Sequence, residues 1–285
     1  MKSPLRYPGG KAKLANFFQK LIEDNDLSDV TYLEPYAGGC GLALELLERN
    51  LVKRITLNDA DPAIYKFWCS VLNEPESLCS LITNTPVTLE EWRNQKKILG
   101  DQDGFSDLEV GFSVFFLNRT NRSGIIKGAG VIGGYEQKGN WKIDARYYPE
   151  TMVKRIRAIA KKKQRIRFFN KDALDFCKNH VRKTNLVYLD PPYFEKGHRL
   201  YRNFYNPEDH LEISTYVQND LKSNWVVSYD NAPEIMEYYK ASNSFVYGLP
   251  YTATKRREGT EVIFFSNNLK IPNLCAPMIE INQAA

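Results

Sequence analysis

The sequence predicts an α/β fold built on a parallel sheet and interrupted once by a long insertion. Three observations point to it. Strand-like and helix-like segments alternate through the first third. The alternation lapses from about residue 75 to about residue 149. It then resumes with a basic helix and further apolar strands.

In order, the periodicity predicts a helix over 13–23, a strand over 30–34 and a glycine turn. A helix over 41–50 and a strand over 54–58 follow. Polar helical residues then lead into "GFSVFFLNRTNRSGIIKGAGVIGGYEQKGNWKIDARYY". That stretch is rich in glycine and basic residues and poor in alternation, so the insert reads as mostly helical and irregular. In the helix "MVKRIRAIAKKK", Ile156 and Ile159 face inward and the basic residues face solvent. Strands are expected at 166–170, 186–189, 225–228 and 262–266. Residues 1–74 and 150–285 thus form one α/β domain around a 75–149 insert, with 268–285 as a peripheral tail.

Composition narrows the class. The chain has 285 residues, 43% hydrophobic and 26% charged, enough for a full globular core. A net charge of +5 tolerates a polyanionic partner without demanding one. Five scattered cysteines without a C-x-x-C pair argue against a secreted disulfide framework and for a reducing cytoplasm. His180, His198 and His210 lie far apart and show no metal-ligand spacing. No signal peptide and no membrane-length apolar run are present.

Two stretches carry chemistry. In "TYLEPYAGGCGLALELL", Gly38, Gly39 and Gly41 let the backbone approach a ligand at a helix N-terminus. Leu44 stands where a dinucleotide fingerprint needs another glycine. The next strand ends in Asn58-Asp59-Ala60-Asp61. Asp59 is placed to bind a ribose diol, while Asp61, directly before Pro62, suits a helix cap. Lys11 in "RYPGGK" resembles part of a phosphate loop, but Ala12 breaks that motif. An adenosine-bearing cofactor without a pyrophosphate is therefore expected.

The second stretch is "NLVYLDPPYF". An apolar strand stops at Asp190-Pro191-Pro192-Tyr193, where ligands of parallel sheets bind. The prolines fix the turn and expose carbonyls. The Asp190 carboxylate and the Pro191 carbonyl are acceptors, and Tyr193 offers a stacking face. This set suits a planar base with an exocyclic amino group, whose nitrogen would attack an electrophilic methyl.

With these motifs in this order, the chain resembles the Dam-like DNA adenine-N6 methyltransferases. The resemblance rests on "RYPGGK", "EPYAGGCG", "LNDADP", "FFLNRTNRSG", "LDPPY" and "SYDN". It implies a Rossmann-like methyltransferase sheet, with the insert as target-recognition domain. S-adenosyl-L-methionine is the implied cofactor and double-stranded DNA the partner. Tyr7, Lys11, Asp59 and Asp190 would contact the cofactor, with Glu34 and the glycines of its motif. Asp190 would also bind the target amino group. Asp172 would lie near the cofactor adenine, and a helix cap explains it equally well. Two positions depart from the family: Tyr7 where Trp is usual, and Arg122 where an aromatic penetrates the duplex.

Arg119, Asn121, Arg122, Ser123 and Lys127 form a basic turn expected to grip DNA, and Lys255, Arg256 and Arg257 are expected to hold phosphates. Phe204 and Tyr205 offer a wall over a flipped base, or simply core. A monomer is expected, with a cognate restriction endonuclease as a functional counterpart. RNA adenine methylation, or a catalytically dead DNA-binding module on the same fold, are the alternatives.

Overall fold

The computed structural model describes residues 1–6, 10–194, 205–248 and 260–280. Tyr7, Phe204 and Lys255, Arg256 and Arg257 lie outside them.

Strands β1 (Thr31–Glu34), β2 (Arg54–Asn58), β3 (Ile166–Phe169), β4 (Leu186–Leu189) and β5 (Asn224–Asp230) form the parallel half of the sheet. Then come β6 (Asn243–Gly248), β7 (Thr260–Phe265) and β8 (Ile279–Glu280), all antiparallel. The spatial order is β3-β2-β1-β4-β5-β7-β6-β8. The sheet is therefore mixed: the expected parallel α/β half carries an antiparallel edge. The first five strands have helical crossovers, whereas β7 inserts between β5 and β6 and reverses direction.

Side-chain alternation divides the core into two layers. Tyr32, Ile55, Leu186, Tyr188 and Val226 point to one face, Leu33, Val187, Leu189 and Val227 to the other. That is why "LVYL" is apolar throughout: β4 is buried on both faces.

The first face carries α1 (Ala15–Asp24), α2 (Gly41–Glu48) and α3 (Pro62–Asn73). Helices α4 (Pro75–Asn84), α5 (Leu89–Gly100) and α6 (Asp107–Thr120) fall within residues 75–149, and α7 (Pro149–Ala160) comes after them. The other face holds α8 (Ala173–His180), α9 (Pro207–Asn219) and α10 (Pro233–Tyr238).

Helix α6 corrects the reading of residues 111–120 as irregular. Val110 to Thr120 are all buried, so no polar face exists to mark a helical period. Gly111 permits the crossing with α3. A Cβ there would stand 2.6 Å from Ser70 Oγ and 3.0 Å from Phe67 Cα. The tail is also not peripheral. Leu269 and Met278 are buried in the core, and β8 pairs with β6.

Candidate active site

The carboxyl ends of β1, β2, β3 and β4 lie along one edge of the sheet. The strand order turns back between β1 and β4, which opens a crevice there. A cavity of about 1040 Å³ occupies it. Its walls include Lys11, Glu34, Gly38, Gly39, Gly41, Asp59, Asp172, Asp190 and Pro192, residues scattered along the first two thirds of the sequence.

After β1 the chain turns through Gly38 at φ +46° and Cys40 at φ +52°, and α2 starts at Gly41. Gly38 N donates to Asp59 Oδ2 at 2.9 Å, and Asp61 N donates to Asp59 Oδ1 at 2.9 Å. The tips of β1 and β2 are thereby locked together. Burial pushes the Asp59 carboxyl up to about 6, against the pull of those two N–H donors. Asp61 caps α3 by accepting from Ala63 N, with Pro62 as the first helical residue, as expected. Asp172 caps α8 by accepting from Leu174 N and Asp175 N, and it also lines the cavity.

Glu34 Oε1 accepts from Ala43 N at 3.1 Å and from the Tyr32 hydroxyl at 2.8 Å. Burial raises its carboxyl to about 8, so it is largely protonated at neutral pH.

At the end of β4, Asp190 Oδ1 lies 3.2 Å from Lys11 Nζ and accepts from Ser228 Oγ at 2.8 Å. Ser228 Oγ in turn lies 2.6 Å from the Tyr188 hydroxyl. Pro191 and Pro192 are buried in the turn. Phe194 N donates to Asp230 Oδ1 at 2.8 Å, which anchors the exit of the turn. Burial favours a neutral Asp190 and raises its carboxyl, while the Lys11 ammonium opposes this. Burial alone would lower Lys11, but Asp190 and Glu261 outweigh it and hold the ammonium well above its ordinary range.

Glu261, on β7, was missed by sequence reasoning. Its signal was a lone acid leading the apolar run "VIFF". It accepts from Lys11 Nζ at 2.9 Å and from the Tyr193 hydroxyl at 2.9 Å. Ser228 was seen only as part of "SYDN".

The expected DNA-contact turn splits in two. Arg122, Ser123 and Lys127 are exposed, and Lys127 reaches the cavity wall. Arg119 and Asn121 are buried, which corrects their reading as DNA contacts. The Arg119 guanidinium donates to Pro4 O through Nε and Nη2. Asn121 accepts from Trp92 Nε1 at 2.7 Å and donates to the carbonyls of Ile125 and Ile126. Two exposed aromatics nearby were also missed: Trp141, 64% exposed, and Tyr135, 62% exposed. The Arg146 guanidinium lies 5.3 Å from the Trp141 ring. Gln137 knits their loop by donating to Ile132 O and Gly134 O and accepting from Ile143 N. Tyr205 lines the cavity, its hydroxyl 2.8 Å from that of Tyr36.

The crevice fits S-adenosylmethionine. Asp59 presents a carboxylate to the cavity wall from the tip of the second strand, where parallel sheets offer an acceptor to a ligand. Lys11 is already shared by two carboxylates, so the floor suits a sulfonium cation better than a pyrophosphate. Among the described residues, no His/Cys/Asp/Glu group could hold a metal ion. No helix among them is long and apolar enough to cross a membrane.

Among solved structures, the chain is similar to an rRNA methyltransferase from Streptomyces viridochromogenes. The identity is 15% and the TM-score 0.40, over 91% of this chain and 86% of that one. A putative class I S-adenosylmethionine-dependent methyltransferase from Listeria monocytogenes is 11% identical. Its TM-score is 0.39, over 92% of this chain and 62% of that one. A putative methylase from Haemophilus influenzae is 14% identical at TM-score 0.35, over 89% and 94%. No curated protein matches. Residues 7–256 match the model of the D12 class N6 adenine-specific DNA methyltransferases, and on that match the chain belongs to this family, whose cofactor is S-adenosylmethionine and whose reaction is DNA adenine-N6 methylation.

Proposed function

We propose that the chain is a site-specific enzyme acting on double-stranded DNA, with the target adenine flipped from the stack into the crevice beside Asp190. The observation that carries this reading concerns Asp190. Among the described residues, both of its polar partners, Lys11 and Ser228, sit on Oδ1. Oδ2 is thereby left as an acceptor in the cavity wall.

When bound, S-adenosylmethionine supplies an electrophilic methyl on a sulfonium. Asp190 Oδ2 and Pro191 O accept the two N–H groups of the adenine amino nitrogen. This favours a tetrahedral nitrogen whose lone pair points outward. Tyr193 supplies a stacking face and Tyr205 part of the wall. Asp59 accepts from the cofactor ribose, Asp172 lies near its adenine, and Tyr7 stacks. Lys11 orients Asp190. Arg122, Ser123 and Lys127 grip the duplex, with Trp141 and Tyr135 in place of the aromatic missing at 122, and Lys255, Arg256 and Arg257 hold phosphates. The enzyme works as a cytoplasmic monomer on one strand at a time, and a restriction endonuclease reading the same site is its functional counterpart.

The test is transfer of labelled methyl to unmethylated duplex DNA, with structured RNA in parallel, followed by digestion to nucleosides. The expected product is N6-methyladenine from DNA alone, lost in Asp190→Ala. Label in RNA alone overturns the DNA reading.

A further inference from the structure

The Lys11 ammonium has a second carboxylate that no step above uses. Glu261 is 3% exposed and, among the described residues, accepts from Lys11, Tyr193 and Tyr247. Lys11 Nζ and the Tyr247 hydroxyl reach Oε2 at 2.9 and 2.6 Å, and the Tyr193 hydroxyl reaches Oε1 at 2.9 Å. Lys11 is closer to Glu261 than to Asp190, at 2.9 against 3.2 Å. One residue thus holds both the lysine behind Asp190 and the aromatic ring of the same motif.

We propose that Glu261 is a positioning residue for methyl transfer: it draws Lys11 off Asp190 and orients Tyr193. This rests on the reading of Asp190 as the acceptor for the target amino group. The physical case is electrostatic. A lysine paired with Asp190 alone would form a closed ion pair and weaken that carboxylate as an acceptor for the adenine N–H groups.

A purely structural Glu261 would support folding and leave the pH dependence alone, so the pH profile separates the two roles. Among the described residues, the groups facing Asp190 are Lys11, Glu261, Tyr188, Ser228, Tyr229, Tyr247, Tyr32 and Glu34. The tyrosines are held well above their ordinary range and stay neutral. Glu261 raises the Asp190 carboxyl and Lys11 lowers it. Removing the Glu261 charge therefore moves the acid limb of the rate profile to lower pH.

The experiment measures single-turnover methyl transfer to long mixed-sequence duplex DNA from pH 5 to 9. It compares the wild type with Glu261→Gln, Glu261→Asp, Tyr247→Phe and Asp190→Asn. For Glu261→Gln the rate at saturation falls roughly ten- to a hundredfold, as expected for misplaced reacting groups. DNA affinity stays near wild type and the acid limb moves to lower pH. Glu261→Asp restores part of the rate. Tyr247→Phe removes one donor from Glu261 and gives a smaller loss, which keeps the test alive if Glu261→Gln does not fold. A wild-type rate, or a slow variant with an unmoved acid limb, overturns the proposal. If Asp190→Asn is inactive while Glu261→Gln behaves as wild type, only the role of Glu261 falls. If Asp190→Asn keeps its activity, the reading of Asp190 itself falls.

Discussion

Residues 118–121 and 122–127 are neighbours in sequence, both polar and both carrying basic side chains, yet they do opposite work. The first group is scaffold. Asn118 accepts from Arg6 N and donates to Arg6 O and Gly124 O, and Arg119 donates to Pro4 O. Together they pin the segment leading to Lys11 onto α6. The second group is surface, with Arg122, Ser123 and Lys127 exposed. Residue type alone does not separate a DNA contact from a buried tie. What separates them is whether a backbone carbonyl needs the donor inside the fold.

The largest test of this contrast is Arg119→Ala. It leaves a buried carbonyl without its donor and a void behind it, costing about 3 kcal/mol. Thermal denaturation should show the midpoint falling by roughly 5–10 °C. A surface DNA contact would leave the midpoint in place. Burial also holds the Arg119 guanidinium down to about 10, as expected for an interior cation.

Trp141→Ala should do the reverse. The midpoint stays near wild type while DNA affinity drops by about 1–3 kcal/mol, the range for loss of one base–aromatic stack. Fluorescence anisotropy with labelled duplex reads this directly, and an unchanged affinity would remove Trp141 from the DNA face.

Asp59 extends the contrast to a buried group that still faces the cavity. Its carboxyl sits near 6 and accepts best when ionised. Cofactor affinity should therefore fall as pH drops below 6, by up to about tenfold per pH unit. Calorimetric titration across pH 5–8 measures it, and Asp59→Asn should bind weakly with a flat profile.

Lys127→Ala predicts a smaller change. DNA binding weakens about uniformly across sequences, and the salt slope of log K drops by about 1.

Glu34→Gln gives the smallest effect. The folded-state carboxyl is raised from 4.5 to about 8, so the stability it confers is complete below 4.5 and is lost as pH rises through 8. Relative to wild type, the variant should gain about 1–2 °C at neutral pH, growing toward pH 8. A gain that shrinks with rising pH would show that Glu34 folds as the anion.

Much of the molecule was legible because its signals are local. β2 and β4 fall on the expected residues, and Asp61-Pro62 opens α3 as its cap chemistry requires. Gly38 and Gly41 flank the turn at the crevice, and the acids at the ends of β2 and β4 stand where a parallel sheet places ligands. Each of these depends on a few consecutive residues: a dihedral, a cap, a run of apolar side chains. The remainder depends on partners distant in the chain. α6 is buried all round from Val110 to Thr120 because neighbours cover every face, so it shows no period. β7 inserts between β5 and β6, and that reversal carries Glu261 to Lys11, 250 residues away. Burial of Arg119 follows from the placement of Pro4, 115 residues earlier. Short-range preference determined the strands, the caps and the motif residues. Long-range packing decided which charges are inside, because burial is a property of the neighbours and not of the side chain itself.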